Sequence, residues 1–135
     1  MKIKIAFLSL CLSLAAIATA AAPQLFVWGS TNWERNRITR LEQSLNFSKA
    51  AMTSTWSITI IPGEDFQRRT EYLKINTASA YTFLQLRQTY LNEDYLIWHT
   101  DVEVRQTLGH EAGHLICECN SEQKANEIAY ELQFK

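Results

Sequence analysis

"TDVEVRQTLGHEAGHLICECNSEQKANEIAYEL", Thr100 to Leu132, reads as two helices joined by a short turn. Thr100 with Glu103 three residues on makes a capping box, which marks a helix start. Val104, Leu108, Leu115 and Ile116 give that helix its apolar positions. Ser121 caps the second helix, from about Glu122 to Leu132, and Ala125, Ile128, Ala129 and Leu132 form its inner face. The first helix carries His110, Glu111 and His114. Residues four apart lie on one helix face, one turn above the other. Two imidazoles so placed can bind one zinc ion at about 2.0–2.1 Å. Glu111 is a hundred degrees round from His110, where it can take a proton from a water that the ion activates.

Chance alone can produce two histidines at this spacing. The apolar neighbours Leu108, Ala112, Leu115 and Ile116 argue for more. Burying two imidazoles and a carboxylate without a partner costs several kcal/mol, and a cation removes that cost. Gly109 and Gly113 each weaken the helix by roughly 1 kcal/mol, so they point to close backbone approach of a neighbouring element or of the substrate. The third ligand is sought downstream among Glu118, Cys119, Glu122 and Glu127. Glu118 and Cys119 leave little room for the chain to turn back. Glu122 opens the last helix and is the favoured choice; its other role is to complement the helix dipole. Asn126, one turn further on, can hold His110 or His114 through the second ring nitrogen.

Upstream, Thr31 to Phe47 has helical spacing in Trp33, Ile38, Leu41 and Leu45, with its arginines read as a solvated face. "TWSITII" alternates, with Trp56, Ile58 and Ile60 on one side, and Pro62-Gly63 ends it, so it reads as a strand. Glu64 to Ile75 fits a short amphipathic helix weakly, through Phe66, Tyr72 and Leu73. Ala80–Leu84 and Gln88–Asn92 read as a hairpin turning near Leu86-Arg87, and Glu93 to His99 as a connection. The order gives an α+β fold: an N-terminal helix, a small mostly antiparallel sheet, the histidine-bearing helix and a C-terminal helix, with the helices on one side. Trp28, Trp33, Trp56 and Trp98 read as core or cleft wall.

Residues 1–20 have the pattern of a signal peptide: Lys2 and Lys4, an apolar run, then Ala18-Thr19-Ala20 as a cleavage site. A single domain over residues 21–135, exported to the periplasm or secreted, is the expectation, with no stable membrane span after cleavage. The leader takes two of the 13 basic side chains and none of the 14 acidic ones, leaving a net charge of −3. No basic stripe is visible, so nucleic acid is not an expected partner. In an oxidising compartment Cys117 and Cys119 can pair.

The stretch from Thr107 to Leu132 resembles the catalytic core of gluzincin-type zinc metallopeptidases. It is most similar to small ones that carry H-E-x-x-H followed by E-x-x-A-N, as in the ImmA/IrrE-like group. Glu122, Ala125, Asn126 and Ala129 fall on the second pattern. The resemblance implies Zn2+ as cofactor, Glu122 as third ligand and Glu111 as general base. It also implies a minimal zincin-like fold with an edge strand along the cleft, and a protein or peptide substrate. Such enzymes need an oxyanion donor; Tyr81, Tyr90, Tyr95 and His99 lie upstream and are the choices here. The alternative function is a non-catalytic zinc-binding interaction module.

Overall fold

The computed structural model describes residues 22–49, 52 and 54–134; the expected leader lies outside them. The fold is α+β, with a four-stranded mixed sheet and five α-helices among the described residues. Strand β1 (Gln24–Trp28) leads through helix α1 (Asn32–Gln43) and a 3-10 turn (Phe47–Lys49) to β2 (Thr55–Ile61). Helix α2 (Gly63–Leu73) follows, then β3 (Ala80–Phe83), β4 (Gln88–Asn92) and α3 (Glu93–Trp98). The chain closes with α4 (Asp101–Cys117) and α5 (Glu122–Gln133).

The strand order is β1-β2-β4-β3. β1 runs parallel to β2 and β2 parallel to β4; only the β3–β4 hairpin is antiparallel. The sheet is therefore mostly parallel, which corrects the mostly antiparallel expectation. A short turn reverses the chain only between β3 and β4, whereas α1 returns it to start β2 in the direction of β1. Arg87, at φ 51°, takes the left-handed position of that hairpin turn.

Alternation along the strands gives the sheet two covered faces. One packs Trp56, Ile58, Ile60, Ala80 and Leu91 against Ile38 and Leu41 of α1, against Val104, Leu108, Ala112 and Leu115 of α4, and against Leu132 of α5. The other packs Ile61, Tyr81, Phe83 and Tyr90 against Phe66 of α2. The helices thus lie on both sides of the sheet, not one. Of the four tryptophans expected as core or cleft wall, Trp56 is buried, whereas Trp28, Trp33 and Trp98 are exposed. Arg37 is also not a solvated residue. It lies buried and donates to the carbonyls of Leu96 and His99 and to Asp101 at 2.8 Å. Those bonds tie α1 to the start of α4 and so fix the helix that bears the histidines.

Candidate metal centre

Helix α4 begins as its capping box requires: Thr100 accepts from the Glu103 amide at 3.3 Å. It ends at Glu118, whose left-handed backbone (φ 51°) turns the chain so that the Cys119 amide bonds back to the His114 carbonyl. Cys117 and Cys119 form a disulfide across this turn. Ser121 then caps α5 by accepting from the Lys124 amide. The two helices come together backbone to backbone. A Cβ on Gly113 would lie 2.4 Å from the Ala125 carbonyl oxygen, so only glycine fits. At Gly109 it would meet the Gln133 side chain at 2.4 Å.

This close approach carries Glu122 to the two histidines. The His110 and His114 Nε2 atoms are 3.1 Å apart. Glu122 places Oε2 2.8 Å from His110 Nε2 and Oε1 3.2 Å from His114 Nε2. The outer ring nitrogens are held too. His110 Nδ1 donates to Asn126 Oδ1 at 2.7 Å, and His114 Nδ1 donates to the Cys119 carbonyl at 2.9 Å. A carbonyl only accepts, so His114 carries a proton on Nδ1, and Nε2 is the ring nitrogen left to face a cation. His110 does the same against the Asn126 oxygen.

Ligand atoms of His110, His114 and Glu122 therefore converge within 4.8 Å of one another, as a group able to hold a metal ion. The donor set fits a cation. Two imidazole nitrogens and a carboxylate, with both outer ring nitrogens already engaged, are donor types that zinc takes. A tetrahedral ion with bonds of 2.0–2.1 Å has ligand edges of about 3.3 Å, close to those seen here. The other three choices for the third ligand do not reach. Cys119 is bonded to Cys117, Glu127 accepts from Gln123 on the exposed face of α5, and Glu118 is the turn residue.

Glu111 is buried on the sheet side of α4 and accepts from Thr82 Oγ1 at 2.6 Å. Burial pushes its carboxyl above the usual carboxylate range; the Thr82 hydrogen bond opposes that shift. A cleft of about 490 Å3 opens over Glu111 and the metal group. One of its walls is the Ser79–Thr82 stretch at the free edge of the sheet, and Thr107 and Asn120 also face it.

The four expected oxyanion donors do not join the metal group. Tyr81 and Tyr90 send their rings to the α2 side of the sheet, as alternation requires. Tyr81 still borders the cleft, but its hydroxyl is buried without a hydrogen-bond partner among the described residues. Tyr95 bonds Thr107 at 2.8 Å, and His99 stacks on Tyr95 and donates to its carbonyl. Neither lines the cleft. Sequence reasoning missed Thr82. Its signal was available: in "AYTF" the polar Thr82 alternates with Tyr81 and Phe83, so it must face α4.

No family model matches the chain, and neither a curated protein nor a solved structure is significantly similar to it. No helix among the described residues is long and apolar enough to cross a membrane.

Proposed function

We propose that this chain is an exported zinc-dependent metallopeptidase acting on a protein or peptide. The observation that carries the reading is a carboxylate, Glu111, buried beside three converging ligands at the floor of an open cleft. Zinc suits two imidazoles and one carboxylate and leaves a fourth position open. When bound, the ion supplies Lewis acidity, polarising a carbonyl and making a water acidic near neutral pH. Glu111 would accept a proton from the attacking water and return it to the leaving amine. The free edge of β3 gives an extended peptide a row of backbone groups to pair with, beside the metal group. The likeness to gluzincin-type cores supports the same roles for the same residues. Export agrees with the Cys117–Cys119 disulfide, which suits an oxidising compartment. A purely structural site has no use for a desolvated acid next to an open position, which weighs against the non-catalytic module.

Glu111→Gln tests the proposal. The variant is expected to bind zinc as the parent does and to cleave a peptide library roughly 10²–10⁴-fold more slowly. Equal cleavage by parent and variant would remove Glu111 from the chemistry.

A further inference from the structure

Glu111 does not stand alone behind the cleft. Trp56 Nε1 bonds Thr89 Oγ1 at 2.9 Å, Thr89 Oγ1 bonds Thr82 Oγ1 at 2.7 Å, and Thr82 Oγ1 bonds Glu111 Oε2 at 2.6 Å. The chain crosses the sheet from β2 through β4 to β3 and ends on α4. Trp56 and Thr89 are fully buried and Glu111 is 5 % exposed. Thr82 and Thr89 are directly paired across the hairpin, so the sheet register itself holds the two hydroxyls together.

The two ends together set the direction of every bond. Thr82 Oγ1 donates to Glu111 Oε2 and so spends its single proton there. Its bond with Thr89 is then one it accepts, so Thr89 donates to Thr82. An indole N–H donates and cannot accept, so Thr89 accepts from Trp56. A hydroxyl flanked by free neighbours rotates among three wells; here neither does.

We infer that Thr82, Thr89 and Trp56 form a polarised hydrogen-bond relay that positions the Glu111 carboxylate. It engages Oε2 from the sheet and leaves Oε1 to face the cleft. Among the described residues Oε1 has no hydrogen-bond partner, and Glu111 lines the cleft. The three residues are positioning residues; among the described residues none of them hydrogen-bonds His110, His114 or Glu122. A bond from the core also explains two polar threonines on a face that otherwise packs Ile58, Ala80 and Leu91. The inference rests on Glu111 acting as the base, but the relay has a signature of its own.

That signature is the Trp56 indole N–H resonance, followed by NMR in the zinc-loaded protein. Thr82→Val keeps the shape of the side chain and removes the donor to Glu111. Glu111→Ala removes the terminal acceptor, three hydrogen bonds away from the indole. Both are expected to move the Trp56 signal and speed its hydrogen exchange, and Thr82→Ser to restore it. Cleavage of the best library peptide supplies the second readout. Thr82→Val is expected to lower kcat roughly ten- to a hundredfold with KM and zinc affinity unchanged, and Thr82→Ser to recover most of it. Should Thr82→Val fail to fold, Thr89→Val reports on the same chain one link further back. An indole signal indifferent to Thr82→Val (or Thr89→Val) and to Glu111→Ala overturns the relay. A parent that cleaves nothing while the indole responds overturns the peptidase reading and leaves the relay standing.

Discussion

His110 and His114 differ in what holds them, and the difference has consequences. His110 leans on a side chain, Asn126, from the neighbouring helix. His114 leans on a backbone carbonyl, Cys119, fixed by the turn and by the disulfide to Cys117. A ligand's outer hydrogen bond orients the ring and raises its basicity, and losing it typically weakens metal binding 10–100-fold. Asn126→Ala is therefore expected to lower zinc affinity by roughly that factor while the fold survives, because Asn126 is exposed. Competition with a coloured chelator measures it. An unchanged affinity would mean that His110 is oriented by something other than Asn126.

At the scale of elements, the centre depends on how closely α4 and α5 pack. Gly113 faces the Ala125 backbone, and no side chain can move aside to admit a methyl group there. Gly113→Ala gains about 1 kcal/mol of helix propensity. The overlap with a backbone carbonyl costs about 1–3 kcal/mol or more. The clash should win, lowering the thermal midpoint and pushing α5, with Glu122, away from the histidines. Weaker zinc binding together with a lower midpoint is the expected pair of results; a stabilised variant with full affinity would show that the two backbones are not in contact.

The elements also show what local sequence carries and what it does not. Both helices of the centre were legible, because their caps, glycines and ligands lie within one short stretch. So was the β3–β4 hairpin. Strand β1 was not: its five residues are half exposed, with Phe26 and Trp28 turned outward, and no long alternation marks it. Helix α3, six residues, is too short to show a helical period. In α2 the apolar Tyr72 and Leu73 suggested an inner face, yet both are exposed, and Phe66 with Thr70 is what the helix buries. Parallel pairing was hidden for a different reason. Strand direction depends on crossovers between distant segments, not on the pattern within a strand. The two histidines could be read from spacing, and Glu122 favoured among four choices, whereas the position of Glu111 against Thr82 needed the register of the sheet.

For the whole molecule, stability is shaped by a charge far from the centre. Glu42 on α1 is buried beside Leu25, Val27, Leu45 and Phe47, and burial pushes its carboxyl up to about 7. Its ordinary value is 4.5. The native state therefore holds this proton more tightly than the unfolded chain. The resulting stabilisation is complete below the unfolded value and is lost as pH rises through the folded one. Glu42→Gln should remove that dependence and stabilise the protein at pH 8 by about 1–2 kcal/mol. Urea denaturation between pH 4.5 and 8 measures it; parallel curves for parent and variant across that range would contradict the assignment.

The effects at the scale of residues and of elements converge on one centre. The proposed function requires His110, His114 and Glu122 to hold a single zinc ion jointly. Calorimetric titration of the metal-free protein with zinc tests this most directly. One ion per chain is expected, with binding abolished in His110→Ala and His114→Ala and strongly weakened in Glu122→Ala. No uptake by the parent, or full affinity without the Glu122 carboxylate, would contradict it.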